Sequence, residues 1–136
     1  MVQKAIYLLQ QAGVEMGYPY RWYIRGPYSS RLSNDLFYLA ELDEVEVKEM
    51  GAYTLGEKTR NIVERVKDLI TAPKRAGERA KRLELLASVL FIVRTGQAKP
   101  NEEVKLSEIL KANGKAFEPN DAKEAVASLA RNGYTF

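Results

Sequence analysis

The chain of 136 residues holds no cysteine and no histidine. Without cysteine there is no disulfide, no thiolate metal ligand and no cysteine nucleophile. Without histidine the usual general base, the usual zinc ligand and every Ser-His arrangement are gone. Long apolar runs are scarce as well. The longest, LLASVLFIV from Leu85 to Val93, is interrupted by Ser88, and crossing a bilayer takes about twenty residues. The N-terminal MVQKAIYLLQ lacks a basic stretch followed by a long apolar one, so a secretory signal is not expected. No spacing of a metal or phosphate-loop motif is present, and the acids sit at helix caps and on charged faces. These absences predict a soluble, cytoplasmic protein that is not an enzyme, with no cofactor and no metal site.

What remains is enough for one core. This length is close to the commonest size of a single domain, and such a chain buries roughly two-thirds of its unfolded surface. Net charge is +3, unevenly spread. Residues 1–56 carry five Lys/Arg against seven Asp/Glu, and residues 57–136 carry sixteen against eleven. The basic second half allows an anionic partner without requiring one.

Periodicity gives the elements. VQKAIYLLQQAG reads as a helix whose stripe is Ile6 and Leu9 with Ala5 and Ala12, stopped at Gly13. YRWYI alternates like a short strand, with Tyr20, Trp22 and Ile24 on one face and Arg21, Tyr23 and Arg25 on the other. Gly26-Pro27 is a turn signal, and Ser29 or Ser30 suits an N-cap. The next helix runs from about Arg31 to Leu42 with Leu32, Leu36, Leu39 and Ala40 inward. EVEVKEMGAYTL reads as a two-stranded hairpin, with Val45 and Val47 before Gly51 and with Tyr53 and Leu55 after it.

The second half is helical. EKTRNIVERVKDLI turns Ile62, Val63, Val66, Leu69 and Ile70 inward. TAPKRAGERAKR is a polar joint. The helix from about Glu78 to Arg94 is apolar nearly all round between Leu83 and Val93, which marks the centre of a fold. Two shorter helices follow. The first covers roughly 103–112, with Val104, Leu106, Ile109 and Leu110 inward. The second covers 121–131, with Asp121 and Glu124 as a capping box. The expected fold class is mainly α: a compact helical domain spanning 1–136 with a small antiparallel sheet. It is expected to be winged-helix-like over 1–56 and helical over 57–136.

KAIYLLQ, YRWYIRGPYSSRLSNDLFYL and RLELLASVLFI together resemble the pattern of the YwgA-like and Panacea (SocA-like antitoxin) family. The most distinctive block is Gly26-Pro27-Tyr28-Ser29. The resemblance implies a small, winged-helix-like protein whose relatives include antitoxins and adaptors that bind other proteins. It brings no catalytic residues with it.

Two stretches are candidate sites. Tyr23, Arg25, Gly26, Pro27, Tyr28, Ser29 and Arg31 form a strand-to-helix corner. Its plain reading is a tight join with a capping serine. Its functional reading is a partner-binding notch, because arginine and tyrosine are what protein interfaces enrich and a helix start attracts acids. Lys74, Arg75, Arg79, Lys81 and Arg82 form a charge-dense joint, either simply solvated or anion-binding. The helix face carrying Arg31, Asn34, Asp35, Tyr38 and Glu41 is a poor DNA reader, since its acids face a polyanion. The leading expectation is therefore a non-catalytic interaction or regulatory protein with a protein partner, which leaves room for a homodimer. The alternative is a nucleic-acid-binding regulator of helix-turn-helix type using the last three helices.

Overall fold

The computed structural model describes residues 1–51 and 54–136. Chain order is α1 (Val2–Gln11), β1 (Arg21–Tyr23), β2 (Gly26–Tyr28), α2 (Ser30–Ala40), α3 (Glu44–Gly51), α4 (Glu57–Thr71), α5 (Ala76–Arg94), α6 (Glu103–Ala112) and α7 (Pro119–Arg131). The fold is thus mainly helical with one small antiparallel sheet, as the sequence predicts. Among the described residues no helix is long and apolar enough to cross a membrane.

α5 is the axis. Leu83, the run Leu86–Leu90 and Ile92 are buried, so every side of this helix is covered. α1, β2, α4, α6 and α7 pack around it. α4 turns Ile62, Val66 and Leu69 inward as expected. α6 and α7 pack on each other and close the far side. Ser107 Oγ donates to Phe117 O at 2.6 Å and fixes the joint between them. Tyr134 OH donates to Leu8 O at 2.7 Å, and Arg94 reaches both Gln11 Oε1 and Thr135 O. The chain end is therefore tied back to α1. Tyr7 and Leu8 share one core cluster with Leu86, Leu106 and Leu129, so residues from both halves of the chain build one interior.

Several expectations change. The hairpin expected over 45–55 is not there: Glu44–Gly51 is helix α3, with every residue exposed. Asp43 Oδ1 accepts from Glu46 N at 2.9 Å, and Glu44 and Glu46 lie in the first turn, where the helix dipole favours acids. These local terms outweigh the alternation of Val45 and Val47. Tyr53, placed in that hairpin, lies outside the described residues. The sheet is instead β1 with β2, so Pro27 lies in a strand rather than ending one. Pro27 has no N–H to donate, which an edge strand tolerates. The order is helix, hairpin, helix, and not the helix, strand, helix, hairpin on which the winged-helix comparison rested.

α1 also faces differently. It buries Lys4, Tyr7 and Leu8, while Ile6 and Leu9 are half-buried. Aromatic packing turns it: Tyr7 meets Tyr20 edge-on at 4.9 Å and Phe91 at 6.2 Å. In α2 only Leu32 is buried; Leu36 is half-buried, and Leu39 and Ala40 are exposed. Val104 of α6 is exposed too. The capping box of α7 is Glu118 with Asp121, three residues before the expected pair, because Pro119 supplies the first helical position.

Candidate functional site

The corner at residues 20–31 is a hairpin seated on α1 and α5 and opening into α2. The strands pair Arg21 with Tyr28, Trp22 with Pro27 and Tyr23 with Gly26. Ile24 and Arg25 form the turn. Neither has positive φ, and Gly26 alone takes the left-handed backbone there, at 94°. A Cβ on Gly26 would stand 2.5 Å from Ser88 Oγ on α5, so only glycine lets the hairpin lie this close.

The sheet has two distinct faces. Trp22 and Pro27 turn toward the body: Pro27 is buried, and the half-buried Trp22 ring packs 5.7 Å from Phe91. Trp22 Nε1 donates to Asn113 Oδ1 at 3.0 Å. Arg21, Tyr23 and Tyr28 share the outer face, with the Tyr23 and Tyr28 rings 5.3 Å apart.

Polar side chains hold the hairpin from below. Lys4 Nζ donates to Pro27 O at 2.8 Å. Lys115 Nζ reaches Ile24 O at 3.5 Å and forms an ion pair with Glu84. Gln3 clamps the backbone of Ser29, donating to its carbonyl at 2.9 Å and accepting from its N–H at 3.1 Å. Gln10, seven residues along the same helix, clamps Tyr18 in the same way. Burial, and then repulsion from Lys115, lower the Lys4 ammonium from 10.5 to about 8. Tyr18 OH donates to Asp35 Oδ2 at 2.7 Å, and that bond raises its pKa.

Ser29 is the N-cap of α2: its Oγ accepts from Leu32 N at 3.3 Å and its carbonyl from Ser33 N. The amides of Ser30 and Arg31 remain as the open end of the helix. They border a cleft of about 690 Å³ lined by Arg21, Trp22, Tyr23, Tyr28 and Arg31 with Pro19 and Ser30. No carboxylate lines it. Two guanidinium groups beside aromatic walls can take a carboxylate by paired, charge-assisted hydrogen bonds.

The seven residues predicted for this corner divide. Gly26, Pro27 and Ser29 are buried and serve the join. Tyr23 is 59% exposed, Arg25 and Arg31 are exposed, and Tyr28 is half-buried. Arg25 lies across the Tyr23–Tyr28 wall, in a second cleft of about 330 Å³ that includes Lys4 and Ile24. Arg31 is therefore grouped with Arg21, not with Arg25. The period-two reading already put Arg21 on the outer face, so that signal was present. Gln3, Lys4, Glu84 and Lys115 gave no such signal, because their partners lie far away in the chain: backbone atoms for Gln3 and Lys4, Ile24 O and Glu84 for Lys115.

The predicted basic group does not converge. Lys74 and Arg75 are exposed before α5, and Arg75 is 3.8 Å from Glu78. Arg79 donates to Thr71 O at 3.3 Å. Lys81 and Arg82 border a cleft of about 260 Å³ shared with Glu78, Asp121 and Glu124 over Leu85, Leu86 and Phe117. Three carboxylates there offset the two cations. In a comparison with known proteins, no family model, no curated relative and no solved structure matches this chain.

Proposed function

We propose that the protein is a non-catalytic interaction module, antitoxin- or adaptor-like, that binds another protein through the hairpin–α2 corner. The observation that carries this reading is the pairing of Arg21 and Arg31 around an aromatic cleft without a carboxylate. Such a cleft suits an acidic segment of a partner. Arginine, tyrosine and tryptophan are the residues that dominate binding energy at protein interfaces. The family resemblance of Gly26-Pro27-Tyr28-Ser29 points the same way. Within that block the buried Gly26, Pro27 and Ser29 fix the backbone, and the half-buried Tyr28 borders the cleft.

Trp22 is the sole tryptophan and borders the cleft, so its fluorescence is a direct reporter. A Glu/Asp-rich peptide should change the emission, and its Gln/Asn counterpart should not. Arg21→Ala with Arg31→Ala should abolish that response and the capture of a partner from the native host. Stability should move by less than about 0.5 kcal/mol, as for most surface changes. Nucleic-acid binding through the second half has a different signature. With about five cations engaged, log K against log salt would slope near −4.5 on duplex DNA. Tight, sequence-selective DNA binding unaffected by the double variant would overturn the proposal.

A further inference from the structure

α2 presents an outer face that nothing among the described residues covers. Phe37 is 72% exposed and Tyr38 is 67% exposed. Arg31, Asn34, Tyr38 and Glu41 follow one another at helical spacing on that face, with Phe37 beside them. Asp35, also exposed on this face one turn from Arg31, is engaged by Tyr18 OH at 2.7 Å, and the remaining charges are segregated. Arg31 stands at the helix start and shares its cleft with Arg21, and Glu41 is the C-cap, followed by Asp43 and Glu44. A cation at the start and an acid at the end run against the helix dipole. The start of α3 accounts for Asp43, Glu44 and Glu46, but not for Glu41. Among the described residues, neither Arg31 nor Glu41 takes part in an ion pair.

A face that is cationic at one end, aromatic in the middle and acidic at the other is complementary to itself when reversed. We propose that two copies of this chain associate by antiparallel packing of their α2 outer faces. Phe37 and Tyr38 of the two copies meet around a two-fold axis. Arg31 of each copy, about 15 Å along the helix from its own Glu41, lies opposite Glu41 of the other. This is the isologous arrangement of a two-fold dimer, with an apolar centre and a charged rim. The facing ends also correct the unfavourable dipole placement in both helices. Arg31 belongs to the partner cleft as well, so self-association and partner binding compete.

Sedimentation velocity over a concentration series tests the proposal, with circular dichroism as the control for folding. The parent should show a monomer–dimer equilibrium that weakens with salt. Tyr38→Ser with Phe37→Ser should leave a folded monomer. Arg31→Glu and Glu41→Arg should each weaken the dimer by at least about tenfold, which corresponds to 1.4 kcal/mol. Mixing those two variants should restore association, because each then offers the charge the other lacks. The double change Arg31→Glu with Glu41→Arg in one chain should restore it too. A parent that stays monomeric at every concentration overturns the proposal, and so does a mixture that stays apart. A parent monomer that still responds to the acidic peptide would remove the dimer and leave the partner cleft standing.

Discussion

α5 and α2 are both rich in large apolar side chains, and they end in opposite surroundings. α5 buries seven residues against five neighbouring elements. α2 buries Leu32 and leaves Phe37, Tyr38 and Leu39 in water. Composition does not separate them. What separates them is the supply of neighbours. α1, α4, α6 and α7 all return to α5, whereas α2 keeps only Leu32 buried and Leu36 half-buried before it continues into the fully exposed α3. An apolar helix with no neighbour keeps its surface for something outside the chain.

The sharpest test of that contrast is one truncation in each region. Leu90 is fully buried, so Leu90→Ala should cost about 2–5 kcal/mol in chemical denaturation. An unchanged midpoint would remove α5 from the centre of the fold.

The hairpin is the seam between the two regions, and glycine substitutions probe it next. Gly26 and Gly17 both have positive φ, but a Cβ at Gly17 meets nothing within 4 Å. Gly17→Ala should cost about 1–2 kcal/mol for the left-handed backbone alone. Gly26→Ala should cost more, because the methyl also meets Ser88 Oγ. Adding Ser88→Ala should recover that excess and leave the backbone cost. Equal effects at Gly17 and Gly26 would mean that the hairpin does not rest on α5.

A smaller effect follows from Lys4 beneath the same hairpin. Its folded pKa is lowered from 10.5 to about 8. Between those values the unfolded chain binds more protons than the folded one, so this group makes stability rise with pH. Below pH 8 the buried ammonium exerts its full destabilising effect. The denaturation midpoint of the parent, relative to Lys4→Met, should therefore climb from pH 8 to 10.5. A flat difference would mean that Lys4 is not buried in solution.

The smallest effect belongs to the arm. Tyr38→Ser, measured on dilute protein, should shift stability by less than about 0.5 kcal/mol. A loss comparable with that at Leu90 would show that α2 packs on the body after all.

The sequence by itself determined the helices with strong signals and the class of the fold. α4, α5 and α6 follow from apolar spacing, and the start of α2 follows from Ser29. Those signals are local, acting within one or two helical turns. Tertiary structure decided where the hairpin lies, which way α1 faces and which arginines meet. Val45 and Val47 alternate like a strand but lie in a helix, while Gly26-Pro27 reads as a break and yet pairs with Trp22 and Tyr23. Lys4 is buried because carbonyls of a distant hairpin need a donor, a demand that spacing along the chain does not record. Arg21 and Arg31 share a cleft because β1 and the start of α2 border it together, which no period along the chain can express.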